Sequence, residues 1–178
     1  AKLHTDILSQ YPFDFVIGSS HLCGSDDPYY PDYFEGKKED DVYALYFSFI
    51  LENVQNFSDY DVYGHLDYIV RYGPNKDARY SYEKYRDIFD AILKTIIEKG
   101  KGIELNTGGI KYGLKELHPC TAVLKRYREL GGEIITIDRQ SIETRFCFGE
   151  SGYDYDEAAD MAQYARTSED YFKRENMK

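Results

Sequence analysis

The stretch "YDVYGHLDYIVRYGP", Tyr60–Pro74, opens with an apolar run that passes through one small residue to a single histidine, His65. An earlier stretch, "DFVIGSSH", Asp14–His21, has the same form: β-branched and aromatic residues, then Gly18, Ser19 and Ser20, then His21. Runs of this kind, bounded by turn residues, predict two buried strands, each carrying an imidazole just past its end.

"CGSDDPYYPDYFEGKKED", Cys23–Asp40, shows no period and predicts a long surface loop, and the acidic residues from Asp26 to Asp41 are read as a solvated face or as part of a lid. From Asp41, apolar residues fall at Tyr43, Phe47, Ile50, Leu51, Val54 and Phe57, which is helical spacing. Gly73, Pro74 and Asn75 mark a turn after the second strand. Ser81 is placed to cap a helix with the stripe Tyr85, Ile88, Phe89, Ile92, Leu93, Ile96 and Ile97, stopped at Gly100. A strand "GIELNT", a glycine loop, a helix opening near Pro119 and closing at Gly131 and Gly132, and a strand "EIITID" follow. "YDYDEAADMAQYA" predicts a further helix, and "YFKREN" a short strand or a tail. Strands alternating with helices predict an α/β fold with a parallel sheet or barrel, in one domain over residues 1–178.

The 22 Lys plus Arg against 32 Asp plus Glu give a net charge of −10, and no basic stripe interrupts it. That balance disfavours binding to nucleic acid through its phosphates. Three cysteines, Cys23, Cys120 and Cys147, stand far apart in no paired spacing, so neither a disulfide framework nor a cysteine zinc site is expected. A reducing cytoplasm fits them. No apolar run approaches a membrane span and no leader precedes the first strand, so no membrane association is expected. The 19 tyrosines, with no tryptophan, predict many rings buried with their hydroxyls at water or at a partner.

In a parallel α/β protein the C-terminal strand ends gather on one rim, where chemistry is placed. That rim would collect His21, His65, Glu104, Asn106 and Asp138. Imidazoles with nearby carboxylates suit Zn, Mn or Fe, and a histidine after a buried strand equally serves as a satisfied hydrogen-bonding residue. Asp67 could orient an imidazole or cap the next turn. Glu104, between Ile103 and Leu105, could face the rim or lie beneath a helix. His4, in an irregular start, and His118, before Pro119, are read as packing or capping residues.

"DFVIGSSH", "YDVYGHLDYIVRYGP", "GIELNTGGIKYGLKELHP" and "GGEIITI", in this order, resemble the histidinol-phosphatase branch of the polymerase and histidinol phosphatase (PHP) superfamily over Phe13–Ile137. The resemblance implies part of a distorted (β/α)7 barrel holding two or three divalent metal ions. It implies hydrolysis of L-histidinol phosphate to L-histidinol and phosphate, in histidine biosynthesis. By this match His21 and His65 fall on two metal ligands of one ion, and Arg71 and Lys111 on positions that hold the phosphate, the family usually having Arg at the second. The small phosphate ester is the only partner implied.

The chain also departs from the family. The opening His-x-His strand, further early histidines and a bridging glutamate would lie before Ala1, so the chain is read as partial. After "IITI" the family expects Gly-Ser-Asp-Ala-His, where "DRQSIETRF" stands, so residues 138–150 are divergent and Asp138 is out of register. No histidine follows His118. The expectations are therefore three: phosphatase ancestry with little turnover by this chain, a related enzyme acting on another phosphate ester, or an inactive barrel remnant.

Overall fold

The computed structural model describes residues 2–106 and 108–132. The strand expected at 133–138, Asp138, Cys147, the divergent segment 138–150 and the later helix all lie outside the described residues.

The sheet has three strands in the order β1 (Ile17–Gly18), β2 (Val62–Tyr63) and β3 (Gly102–Ile103). Both pairings are parallel, with Ile17 beside Val62 beside Gly102 and Gly18 beside Tyr63 beside Ile103. The predicted parallel α/β arrangement is present. The strands are shorter than the apolar runs that announced them.

The helices are α1 (Lys2–Leu8), α2 (Glu39–Asn56), α3 (Arg86–Glu98), α4 (Gly108–Lys111) and α5 (Thr121–Glu129). In α2 the buried positions are Val42, Tyr43, Tyr46, Phe47, Ile50 and Val54, one face at helical spacing. Glu39, Asp40 and Asp41 fill its first turn, where negative charge is favoured by the helix dipole. In α3 the buried stripe is Phe89, Ile92, Leu93 and Ile96. The two helices pack on each other with the rings of Phe47 and Phe89 4.6 Å apart. Burying each of these large side chains contributes roughly 1.5–3 kcal/mol.

Four local expectations are corrected. The start is not irregular: it forms α1, and His4 lies on it with its ring 5.9 Å from that of Phe57. In the Cys23–Asp40 loop the acidic Asp26, Asp32 and Glu35 are solvated as expected, but the loop does not lie wholly at the surface. A 3-10 turn at Pro31–Phe34 buries Tyr33 and Phe34, while the neighbouring pair Tyr29 and Tyr30 stays exposed. Ser81 does not cap α3 itself. Its hydroxyl accepts from Lys84 N–H at 3.4 Å, across the 3-10 turn Glu83–Tyr85 that leads into the helix. The glycine loop after β3 contains α4.

Cys23 and Cys120 are free and buried. Among the described residues no helix is long and apolar enough to cross a membrane.

Candidate metal and phosphate site

His21 follows β1 on the tripeptide Ser19–His21, and the residue before it is held from three sides. The Ser20 hydroxyl meets the Tyr63 hydroxyl at 2.5 Å and accepts from Asn53 Nδ2 at 2.8 Å, while the Ser20 carbonyl accepts from Tyr46 at 2.7 Å. Ser20 itself is 5% exposed. The backbone that delivers His21 is therefore fixed although its imidazole reaches solvent.

His65 follows β2. Its φ of +27° is in the left-handed range, uncommon for a residue with a side chain. Its N–H donates to Glu104 Oε2 at 3.1 Å, so the glutamate after β3 binds the backbone of the histidine after β2. Gly64 makes this approach possible: a Cβ there would lie 2.9 Å from Glu104 Oε2 and 3.1 Å from the Ile17 side chain.

The two imidazoles come together. Their ring centroids are 4.9 Å apart, edge to face, and the Tyr68 ring lies 4.8 Å from His21 and 4.7 Å from His65. Burial lowers the pKa of His65 to about 4, with His21 and Arg71 adding to the effect. His21 is lowered by partial burial and by Arg71, against a smaller opposite pull from Asp27. Both rings are thus neutral near pH 7, the form that ligates a metal.

Arg71 shares the Tyr68 ring with them, its guanidinium 3.9 Å from that centroid, 5.0 Å from Tyr72 and 4.3 Å from Tyr112. Stacked on aromatic faces, the guanidinium gains cation–π attraction and has a planar fork to offer an anion. Its Nε is buried and has no hydrogen-bond partner among the described residues. Lys111 ends α4, one residue before Tyr112. Glu104 is raised in pKa by burial, an effect opposed by bonds from Asn106 and from the His65 N–H. Asn106 also accepts from Gly108 N–H at 2.8 Å, which starts α4.

Sequence reasoning left Asp67 open and assigned His118 to packing or capping. Asp67 is 2% exposed and His118 fully buried, and their Oδ1 and Nδ1 are 2.5 Å apart. Asp67 thus does orient an imidazole, but that of His118 rather than a strand-tip one. It caps as well, its Oδ2 accepting from Cys120 N–H at 2.8 Å. The aromatic setting of Arg71 was also missed, although Tyr68 stands three residues before Arg71, the spacing that brings side chains together in a helical turn.

The donor set suits a divalent ion in part. Among the described residues, the buried His65 Nδ1 has no hydrogen-bond partner, as expected of an imidazole nitrogen kept for a ligand. Among the described residues, however, no group of three or more His, Cys, Asp or Glu could hold an ion.

A family model described as PHP domain matches residues 2–108. The probable histidinol-phosphatase of Clostridium acetobutylicum is 31% identical over 175 residues, covering 97% of this chain and 66% of that protein. The histidinol-phosphatase of Lactococcus lactis subsp. lactis is 34% identical over 131 residues, covering 73% of this chain and 48% of that protein. The crystal structure of histidinol phosphate phosphatase from Lactococcus lactis, complexed with Zn, L-histidinol and phosphate, superposes with a TM-score of 0.68. That match has 30% identity and covers 86% of this chain and 62% of that one. The chain therefore spans about half to two thirds of the length of these relatives.

Proposed function

We propose, since the chain belongs to the PHP domain family, that it carries part of the site of a metal-dependent phosphomonoester hydrolase whose substrate is L-histidinol phosphate. Its sheet and helices are then part of a distorted (β/α)7 barrel. The observation that carries the reading is the convergence of His21, His65 and Arg71 on one tyrosine ring at the C-terminal strand ends. Relatives named histidinol-phosphatase, one of them solved with Zn, L-histidinol and phosphate, support the choice of substrate.

In this reading His21 and His65 hold a divalent ion, Zn, Mn or Fe, through neutral imidazole nitrogens. Bound divalent metal supplies Lewis-acid polarisation of phosphate oxygens and a more acidic water. The chain's own part is orientation. Tyr68 backs both imidazoles, and Glu104 fixes the backbone of His65. Arg71 presents a guanidinium fork to two phosphate oxygens, and Lys111 adds a point charge without that fork.

The lack of a third ligand among the described residues favours a qualification of the same reading. The 178-residue chain binds metal weakly and turns over little substrate, because affinity follows ligand count. Elemental analysis of the purified chain, together with phosphate release from L-histidinol phosphate under added Zn or Mn, tests both statements. Metal that is lost in His21→Ala and in His65→Ala supports the site. Metal retained in both variants refutes it. Fast turnover by the unaltered chain refutes the qualification, and a higher rate on another phosphomonoester refutes the substrate.

A further inference from the structure

The left-handed backbone of His65 persists only if its neighbours fix both flanks. Upstream, the His65 N–H is held by Glu104. Downstream, the His65 carbonyl accepts from Tyr68 N–H at 2.9 Å, closing a turn that contains Asp67. Asp67 in turn is held by His118 Nδ1 and by Cys120 N–H.

His118 closes the circuit. Its N–H and carbonyl exchange bonds with Asn106 at 2.8 and 2.7 Å, and the Asn106 amide lies 3.4 Å from both Glu104 oxygens. A chain of contacts therefore runs from His65 through Asp67, His118, Asn106 and Glu104 back to His65. Room for the ring depends on Gly109, where a Cβ would lie 3.3 Å from His118 Cδ2 and 2.5 Å from the Glu116 carbonyl.

We propose that His118 is a positioning residue for His65: its Nδ1–H, donated to Asp67, fixes the turn that keeps His65 left-handed and so aims that imidazole beside His21. A side chain present only to fill volume does not explain the pairing of two buried polar groups. His118 Nε2 is buried with no partner among the described residues, so the ring's placement serves Nδ1 alone. Asp67, buried and acidic, in turn requires a donor at that place.

The test compares His118→Asn, whose amide nitrogen can occupy the place of Nδ1, with His118→Gln, which is closer in volume but carries its amide at the place of Nε2. Near-UV circular dichroism checks that each variant folds. The first readout, hydrogen exchange at the His65 and Tyr68 amides, needs no metal. His118→Gln should exchange about tenfold or more faster there, with α2 amides unchanged, and His118→Asn should stay close to the unaltered chain. Equal exchange in both variants, slow or fast, overturns the proposal, as does loss of the near-UV signal in both, which would make His118 a core residue only. The second readout, Zn affinity by competition, rests on the proposed function and should fall about 10–100-fold in His118→Gln and recover in His118→Asn. If the unaltered chain binds no Zn, the proposed function fails and the exchange readout alone decides the role of His118.

Discussion

The hydroxyls of Ser20 and Tyr63 meet at 2.5 Å directly before His21, and Asn53 donates to the same serine oxygen. Ser20→Ala removes a hydroxyl that serves two partners in a buried place. We expect a loss of about 1–3 kcal/mol, because Tyr63 and Asn53 are left unsatisfied. Urea unfolding at pH 7 checks it. A loss below about 0.5 kcal/mol, the range of ordinary surface changes, would mean that water replaces the hydroxyl.

Gly73 lies against the fully buried Tyr43, and a Cβ there would overlap the Tyr43 hydroxyl and Glu39 Oε1. Tyr43 cannot yield easily, since its hydroxyl donates to Glu39 at 2.7 Å and its ring is packed near Tyr80 and Tyr85. Gly73→Ala should cost about 1–3 kcal/mol through overpacking, read as a lower melting temperature. A melting temperature equal to that of the unaltered chain would show that the turn before Asn75 shifts freely.

Arg126 on α5 grips Asp90 on α3 with two bonds, Nε–H to Oδ1 at 2.9 Å and Nη2–H to Oδ2 at 2.6 Å. The Arg126 bonds, helped by Tyr82, hold the Asp90 carboxyl down at about 2. A carboxylate whose pKa is lowered on folding gives stability that is present above its unfolded value near 3.8 and lost as pH falls through about 2. A double-mutant cycle of Asp90→Asn and Arg126→Gln should therefore give constant coupling at pH 5 and 7 that declines below pH 4. Coupling that rises on acidification would contradict the assignment.

Arg71→Gln removes the charge stacked on Tyr68, and Arg71→Lys keeps it but loses the fork. With Zn present, calorimetric binding of inorganic phosphate should weaken about tenfold or more in Arg71→Gln and less in Arg71→Lys. Unchanged binding in both would take Arg71 out of the phosphate site.

Much of the frame was legible because burial imposes periods on the chain. The stripes of α2 and α3 follow from spacing, and the parallel pairing of the strands from their alternation with helices. That His21 and His65 reach one rim was readable because both follow strands of a parallel sheet, whereas their direct meeting depends on β1 and β2 being neighbours, which spacing does not give. What was not readable depends on side chains that meet across the chain without any period. The Asp67–His118 bond spans residues far apart in sequence, and the rings around Arg71 come from two segments. Short local choices also escaped. Tyr33 and Phe34 are buried by a 3-10 turn within a stretch whose acidic composition reads as solvated.

The register of the sheet sets a count. Gly18, Tyr63 and Ile103 stand level across the three strands, and His21, His65 and Glu104 follow them three, two and one residues later. The site is thus written as a staircase, in which each successive strand delivers its functional group one step sooner. Substitutions along these steps change chemistry or packing, whereas adding or deleting one residue in any of them shifts a donor off its tread while leaving every side chain type in place. The segments Gly18–His21, Tyr63–His65 and Ile103–Glu104 are therefore the places where the chain's length, more than its composition, is constrained.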